Sequence, residues 1–442
     1  MRREHQFFLM SLIGGIAAYY LSPVAGQQQI VLGILFFIGL LWFTEALPLH
    51  VSGLLAAFLL VVLAGFGSTE VLGKFFDPVI ALFLGGFILA RAMQKHKLDE
   101  KIALLCLTKI GASPKKFLLG LMLISAFLSM WMSNTAATAI MLPIAIAVLV
   151  DSGVKTGKNS KASKAFVLGI AFAATIGGMA TLVGSPPNAI TVSFLHDAGI
   201  DIDFVGWMYY GLPIAILMLP ISWLVLLWFY KPELSSLKCK AKRSRLDGAQ
   251  KQVLLVFILT VALWLTTRVH GISSSLVALI PIFLLYFLGL LDTSDFSKIS
   301  WPTLILFGGG LSLGYGIDKS GLSTTIANFL NTIVAGQALM IVFFIVIIFA
   351  VILTLIGSNT AIAAIIVPIM IPLALTLGID LKTLALLAGL GVSLDFIVPV
   401  GTPPSAIAYS SGYITVKDMA LPGIVITIVG AVALTLLGTF WF

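Results

Sequence analysis

The tripeptide Ser-Asn-Thr occurs twice, at 133–135 and at 358–360, and each copy lies inside a long apolar stretch. The asparagine amide offers donors and an acceptor, and the two hydroxyls can serve either a carboxylate or a small hard cation. A single copy would be explained by a helix cap or an interhelical hydrogen bond. Two copies in matching surroundings instead predict a pair of binding sites.

A second motif, Gly-x-Pro-Pro, follows the two tripeptides at 184–187 and at 401–404. Proline lacks a backbone N–H and clashes with the preceding turn, so the motif predicts a break in each of two helices. The carbonyl groups freed at such a break are oxygen ligands suited to Na⁺. Each half of the chain therefore combines a polar tripeptide with a predicted helix break.

The segments around these motifs contain no Arg, Lys or His. An anion bound there must take its positive charge from helix N-termini and from co-bound cations. Two equivalent sets of donors also suit a substrate with two anionic ends, one set for each carboxylate. The residues thus predict a cation-assisted site for a small dianion.

The composition places these motifs in a membrane. Hydrophobic residues make up 60% of the 442, charged residues only 10%, and the mean hydropathy is +1.11, whereas soluble domains carry about 25% charged residues. Apolar runs of roughly 17 to 25 residues, the length needed to cross hydrocarbon, recur along the chain. We expect an all-α integral membrane protein with eleven transmembrane helices. The predicted crossings are 6–22, 29–45, 48–66, 78–94, 164–196, 206–230, 251–268, 272–291, 300–316, 382–411 and 418–441.

Two further apolar stretches, 115–150 and 337–377, are too long for one crossing and carry a Ser-Asn-Thr tripeptide near the middle. We expect re-entrant helical hairpins, because irregular backbone at membrane depth occurs only where it is buried in protein or lines a cavity. The predicted organisation is N-terminal helices at 1–50, a first repeat at 51–230, a basic linker at 231–250 and a second repeat at 251–442.

The distribution of basic residues predicts the orientation. With the N-terminus in the cytoplasm, 22 of the 26 Lys and Arg residues fall on the cytoplasmic side, as expected for a protein of the cytoplasmic membrane. This topology puts the C-terminus outside and accounts for the net charge of +8 better than nucleic-acid binding does. The basic linker is expected to contact lipid head groups.

An internal repeat runs through the chain. Asp77–Ala103 aligns with Trp301–Ala327 at a shift of 224, the tripeptides follow at a shift of 225 and the Gly-x-Pro-Pro motifs at 217. In the predicted topology the first hairpin opens to the cytoplasm and the second to the outside, so the repeats are inverted. Inverted repeats with sites near the membrane midplane are typical of secondary transporters.

Other function classes find little support. The chain has no nucleotide-binding loop, paired catalytic carboxylates or nucleophile elbow, so neither an enzyme nor an ATP-driven pump is expected. Cys106 and Cys239 lie in unrelated segments without neighbouring ligands, so no disulfide, metal centre or cofactor is predicted beyond Na⁺ as a coupling ion. A channel or an inorganic-ion antiporter on the same repeat remains an alternative.

The paired motifs resemble those of the divalent anion/sodium symporter family, the INDY-type dicarboxylate transporters, over essentially the whole chain. The resemblance implies homodimers of eleven-helix protomers, in which a transport domain moves like an elevator against a scaffold domain. It also implies substrates such as succinate, malate, fumarate, 2-oxoglutarate, citrate and sulfate.

The resemblance also assigns roles to particular residues. Those implied to contact the substrate are Asn134, Thr135, Ser185, Asn359, Thr360, Thr402 and Pro403. One implied Na⁺ site consists of Ser129, Ser133, Asn134 and Gly184. Its implied partner consists of Thr354, Gly357, Asn359 and Gly401.

Two residues of the second half depart from the family pattern. Ser405 ends the second break where the family usually has an asparagine, as at Asn188 in the first break. Asp395 is acidic where the resemblance predicts a small or apolar residue. An intramembrane carboxylate suggests a function, here as a cation ligand or a protonatable group. The alternative is a hydrogen-bonded buried acid, and Na⁺ symport, H⁺ coupling and dicarboxylate exchange all remain open.

Overall fold

The computed structural model describes residues 3–107, 110–154, 160–233, 236–237, 245–399 and 401–442. All regular secondary structure in these ranges is helical, as the sequence predicts. Most of the basic run in the predicted linker, residues 238–244, lies outside the described residues.

Eleven helices precede the linker among the described residues. They are α1 (Arg3–Tyr20), α2 (Gln27–Thr44), α3 (Leu49–Val62), α4 (Ser68–Gly73), α5 (Pro78–Lys95), α6 (Leu98–Leu107), α7 (Pro114–Ser129), α8 (Asn134–Asp151), α9 (Lys161–Met179), α10 (Pro186–Asp197) and α11 (Phe204–Phe229). A 3₁₀ turn at Lys74–Phe76 connects α4 to α5.

Twelve helices follow the linker in the described part of the chain. They are α12 (Gly248–Leu265), α13 (Thr267–His270), α14 (Ser274–Val277), α15 (Ile280–Phe287), α16 (Thr293–Phe296), α17 (Trp301–Lys319), α18 (Leu322–Val334), α19 (Leu339–Thr354), α20 (Asn359–Leu377), α21 (Leu381–Gly391), α22 (Pro403–Ser410) and α23 (Val416–Phe440).

Eight helical segments among the described residues are long and apolar enough to cross a membrane. They are Gln27–Thr44, Ser68–Lys95, Asn134–Asp151, Lys161–Met179, Phe204–Phe229, Gly248–Leu265, Asn359–Leu377 and Val416–Phe440. The predicted crossing at 272–291 consists of the two short helices α14 and α15, and the crossings at 164–196 and 382–411 are both interrupted. The count of eleven crossings stays a prediction.

The predicted crossings and hairpins leave out α6 and α18. Both occupy the same place in their halves, after α5 and after α17, and their first residues Leu98 and Leu322 are 224 positions apart. Leu322, Ala327 and Val334 of α18 are buried whereas Phe329 and Ile333 on the same helix are exposed, so an apolar face remains uncovered in the single chain. The repeat alignment already contained both helices, but their short, partly polar sequences fell below the length of a crossing.

The order of helices repeats, with α5 to α11 followed later by α17 to α23. The packing is reciprocal: α3 packs on α17, and α14 packs on α5. The repeated glycines lie where these helix pairs contact each other. A Cβ on Gly85 would come within 1.9 Å of the Ala278 carbonyl oxygen. A Cβ on Gly309 would likewise lie 2.4 Å from the Gly53 Cα. Glycine is therefore required for the close approach of each helix pair.

Two buried helices, α9 and α21, end where the two breaks begin. Every residue from Ala165 to Met179 of α9 and from Thr383 to Gly391 of α21 is buried. Helix α9 packs against α7, α8, α11 and α22, and α21 packs against α19, α20, α23 and α10. A helix that is apolar on all sides and enclosed by neighbours is a core helix, so both breaks lie in the protein interior.

Candidate functional site

Each Ser-Asn-Thr tripeptide lies at the turn between two packed helices. Helix α7 ends at Ser129, a three-residue turn follows, and the Ser133 hydroxyl caps α8 by accepting a hydrogen bond of 3.2 Å from the Ala136 N–H. In the second half α19 ends at Thr354 and α20 begins at Asn359. Helix N-termini expose unpaired N–H groups and carry partial positive charge, so both tips are suited to an anion.

The first break is a short irregular segment between α9 and α10. The buried Asn188 amide donates to the carbonyl oxygens of Gly178 at 2.8 Å and Thr181 at 2.7 Å. These bonds satisfy carbonyl groups that the interrupted helix leaves without intrahelical partners. The Thr181 hydroxyl in turn donates to the carbonyl oxygen of Met130 in the hairpin turn. The first break is therefore attached to the first tip.

The Asn134 side chain completes this attachment. With its amide nitrogen turned towards the acceptors around it, Asn134 donates to Ser129 Oγ at 2.5 Å, to the Gly184 carbonyl at 3.0 Å and to the Ala174 carbonyl at 3.3 Å. The structure thus brings together three members of the first implied Na⁺ site, Ser129, Asn134 and Gly184. Ser133, the fourth member, lies beside them as the helix cap.

Gly178 was missed by the sequence analysis. A Cβ at this position would lie 2.3 Å from the side-chain amide of Asn134, so the space that the amide occupies exists only because residue 178 is glycine. The neighbouring Gly177 would place a Cβ 2.2 Å from the Ala126 carbonyl oxygen. The Gly-Gly pair at the end of α9 was visible in the sequence, but the partner of each glycine depends on the tertiary fold.

The second break is organised differently. The Thr402 hydroxyl caps α22, accepting from the Ser405 N–H at 3.3 Å, and donates to Ser405 Oγ at 2.9 Å. Ser405 therefore interacts with its own turn, whereas Asn188 crosses the first break. The Thr354 hydroxyl donates to the Val351 carbonyl at 2.9 Å on its own helix, and the buried Asn359 Oδ1 has no hydrogen-bond partner.

The implied substrate residues differ in accessibility. Ser185, Thr360 and Thr402 are buried, whereas Thr135 and Pro403 are exposed. Helix α10 packs on α20 and α21 of the second half, and α22 packs on α8 and α9 of the first half. A Cβ on Gly389 would lie 2.0 Å from Thr191 Oγ1, which shows how closely α10 and α21 approach. The motif-bearing helices therefore form one packed unit.

A cavity of about 320 Å³ separates the second tip from α2. Gly357 and Ser358 line one side, and Trp42 and Phe43 line the other. Larger cavities lie elsewhere, and those of about 470 and 480 Å³ are lined by aspartates, the second also by two lysines. Neither of these two is lined by a residue of the Ser-Asn-Thr tripeptides, so the tips remain the better candidates.

The donor set of the first site fits a small hard cation. Hydroxyl, carbonyl and amide oxygens are the ligands such ions prefer. Ser129 Oγ and the Gly184 carbonyl are such oxygens, and Asn134 joins them when its amide turns over and presents Oδ1 in place of the nitrogen. The four segments 120–150, 165–195, 345–375 and 385–410 contain no Lys, Arg or His, so no basic side chain from them competes for the oxygens. An oxygen-rich, uncharged site of this kind suits a monovalent ion that accompanies an anion.

Comparison with known proteins agrees with this geometry. Residues 10–442 match the family described as sodium:sulfate symporter transmembrane region. The chain belongs to this family. Its membership confirms the family resemblance drawn from the paired motifs.

Several relatives align over nearly the whole chain. A sodium-dependent dicarboxylate transporter of Staphylococcus saprophyticus is 33% identical over 93% of this chain and 85% of its own length. Its counterpart in a strain of Staphylococcus aureus is 34% identical over 92% and 84%. An uncharacterized transporter of Methanocaldococcus jannaschii is 39% identical over 99% of both chains.

Two solved structures share the fold of this family member at low identity. The MtrF efflux pump of Neisseria gonorrhoeae superposes with a TM-score of 0.60 at 14% identity, over 98% of this chain and 94% of that one. The YdaH transporter of Alcanivorax borkumensis gives a TM-score of 0.57 at 13% identity, over 85% and 88%. Both show a shared fold.

Proposed function

We propose that this chain is a secondary active transporter that carries dicarboxylates or tricarboxylates, such as succinate, malate, fumarate and 2-oxoglutarate, into the cell by symport with Na⁺. The observation that carries the proposal is the Asn134 amide, which lies against Ser129 Oγ and the Gly184 carbonyl at the N-terminus of α8. The sodium-dependent dicarboxylate transporters among its relatives support the same activity.

In this proposal the cations lie beneath the tips and the substrate lies in front of them. Asn134, Thr135 and Ser185 hold one carboxylate, and Asn359, Thr360, Thr402 and Pro403 hold the other. The second cation site consists of Thr354, Gly357, Asn359 and Gly401. The bound cations supply positive charge that the side chains of these segments lack, so anion and cation bind together.

The transport movement is proposed to be of the elevator type, with the two halves as inverted repeats and the protein as a homodimer. The repeated order of helices and their reciprocal packing support this architecture. The helices around α9 and α21 form the moving domain, and α2, α3, α12 and α17 belong to the scaffold. The proposed location is the cytoplasmic membrane, with the N-terminus inside and the C-terminus outside.

Uptake of radiolabelled succinate into proteoliposomes tests the coupling. We expect an inward Na⁺ gradient to stimulate uptake into vesicles that contain no dicarboxylate, and choline at equal ionic strength to leave it at background. Imposed pH gradients without Na⁺ serve as the comparison. Uptake that responds to neither gradient would exclude coupled symport.

The site assignment is tested by replacing each tip asparagine. Asn134→Ala and Asn359→Ala should lower the affinity for Na⁺ or succinate by roughly five- to a hundredfold, because removal of one buried partner costs about 1 to 3 kcal/mol. Asn331→Ala on α18 is the matched control, since this asparagine lies outside both motifs. Normal uptake in either tip variant, at normal expression, would contradict the assignment.

Dicarboxylate exchange is a second candidate, favoured by the different chemistry of the second break, where Ser405 replaces an asparagine and Asp395 adds a carboxylate. An exchanger requires substrate on both sides of the membrane. Preloaded vesicles should then take up labelled succinate rapidly while empty vesicles take up none. Equal uptake into both kinds of vesicle would exclude this candidate.

A further inference from the structure

Asp395 occupies the position in the second half that Gly178 occupies in the first. The shift of 217 that aligns Gly184 with Gly401 also aligns Gly178 with Asp395. In the first half a Cβ on Gly178 would lie 2.3 Å from the tip amide of Asn134. In the second half the residue at this register of the alignment is a carboxylate, and it lies in the irregular segment that follows α21.

The carboxylate lies directly against the second break. A Cβ on Gly401 would lie 1.4 Å from Asp395 Oδ2, so any side chain at residue 401 would displace the acid. In the first half the matching glycine, Gly184, approaches the backbone of Gly178, with its Cβ position 2.6 Å from the carbonyl oxygen. The acid thus fills space beside Gly401, a member of the second proposed cation site.

Both oxygens of Asp395 are buried without a hydrogen-bond partner among the residues that the structure describes. The side chain is 0% exposed, and neither Oδ1 nor Oδ2 accepts a bond of normal geometry. The backbone N–H groups of Ile397 and Val398 face the carboxylate without completing such a bond. Buried carboxylates in proteins are paired, coordinate a metal ion or are neutralised by a proton, so this acid binds either a cation or a proton.

The surroundings offer no basic side chain as that partner. The segments 345–375 and 385–410 contain no Lys, Arg or His, and neither do 120–150 and 165–195. At the second tip, Asn359 Oδ1 is buried without a hydrogen-bond partner among the described residues, and the buried Thr354 hydroxyl uses its proton on the Val351 carbonyl, which leaves its oxygen lone pairs for a cation. A carboxylate together with neutral oxygens is a ligand set that a small hard cation takes.

We propose that Asp395 is a direct ligand of the cation at the second tip, so that the two cation sites of this transporter are chemically unequal. The first site is built from neutral oxygens, and the second contains a carboxylate. This inference rests on the proposed Na⁺ coupling and adds a ligand to it. A cation paired with Asp395 is neutralised locally, so the second site binds its ion more tightly than the first and contributes less charge to the anion.

Titration of the purified full-length protein with NaCl, in the absence of any dicarboxylate, tests the inference. Thermal unfolding is followed at constant ionic strength, with choline replacing Na⁺. Asp395→Asn keeps the shape of the side chain and should raise the Na⁺ concentration for half-maximal stabilisation at the second site at least tenfold. The same change combined with Ser129→Ala, which weakens the first site, should remove nearly all of the Na⁺ response.

Asp201→Asn is the control for net charge, since Asp201 lies in the loop before α11 with its side chain 86% exposed. The Na⁺ dependence of thermal unfolding in this variant should match that of the wild type.

If Asp395→Asn cannot be purified, Asp395→Gly introduces the residue that the first half already has at this register. Wild-type Na⁺ affinity in whichever variant folds would overturn the inference while leaving Na⁺ coupling intact. A wild-type protein whose thermal unfolding does not change with Na⁺ would overturn the proposed coupling and the inference together.

Discussion

Asn134 occupies a space that exists because residue 178 has no side chain. Its amide lies among Ser129 Oγ, the Gly184 carbonyl and the Ala174 carbonyl, which belong to the hairpin, the break and the buried helix α9. One side chain thereby fixes the relative positions of three structural parts. A residue with this role is sensitive to small changes in its neighbours as well as to its own replacement.

Gly178→Ala should therefore impair transport although it adds only a methyl group. The new Cβ would lie 2.3 Å from the side-chain amide of Asn134, so the amide must move away from Gly184. Overpacking of this kind costs about 1 to 3 kcal/mol, and we expect a fall of roughly tenfold in Na⁺ affinity, measured by Na⁺ titration of succinate uptake.

Gly73→Ala is the matched control, because a Cβ on Gly73 would meet no atom within 4 Å. This variant should keep the wild-type Na⁺ dependence. An unchanged Na⁺ dependence in Gly178→Ala would mean that the amide tolerates displacement and does not position the cation.

At the scale of elements, the two breaks show how the same motif can be stabilised in two ways. Asn188 spans the first break and donates to carbonyl groups before it, at Gly178 and Thr181. Ser405 is too short to span the second break, and its hydroxyl interacts with Thr402 within one turn. The second break is instead attached from another helix, because the Thr427 hydroxyl of α23 donates to the Leu394 carbonyl at 3.0 Å.

Asn188→Ala should destabilise the protein more than Ser405→Ala. The first change leaves two buried carbonyl groups unpaired, at about 1 to 3 kcal/mol for each unsatisfied group. The second removes one hydroxyl that bonds only inside its own turn. Thermal unfolding of both variants in the same detergent gives the comparison, and equal melting temperatures would contradict the role assigned to Asn188.

At the scale of the whole molecule, the two halves are joined by charges outside the candidate site. Asp295 is 1% exposed and accepts hydrogen bonds from Arg91 at 2.9 Å and Lys95 at 2.6 Å, across about 200 residues of sequence. Burial alone would raise the pKa of Asp295, but the bonds from Lys95 and Arg91 outweigh it and hold the pKa below its usual range. This cluster links α5 to the segment before α17.

Asp295→Asn should lower thermal stability at pH 7 by about 1 to 3 kcal/mol, the typical value of hydrogen bonds to charged groups. Because the folded pKa is depressed, the contribution of Asp295 is complete above the unfolded pKa of about 4 and is lost as the pH falls through the folded value. The difference between wild type and variant should therefore narrow below about pH 4 in thermal unfolding.

Asp292→Asn provides the control within the same cluster. The Asp292 side chain is 60% exposed, and it bonds to Lys95 but not to Arg91. Solvent screening weakens such exposed pairs, so this variant should change stability little. A larger loss in Asp292→Asn than in Asp295→Asn would mean that burial is not what makes the cluster important.

The sequence by itself determined the class of protein, the helical fold, the paired tripeptides and the positions of both breaks. These features follow from local properties: hydropathy over the length of a crossing, the missing N–H of proline, and motifs repeated at nearly constant shifts. The short helices α6 and α18 were not predicted, because they fall below the length at which hydropathy is informative. The repeat alignment nevertheless contained both.

Only the tertiary structure decided how the residues of one site contact each other. It placed Asn134 against Gly184, some 50 residues away in sequence, and gave Gly178 its role as the space beside the amide. It also put the carboxylate of Asp395 against Gly401 without a partner. Such contacts depend on how separate helices pack, and packing is a property of the whole chain that local spacing does not encode.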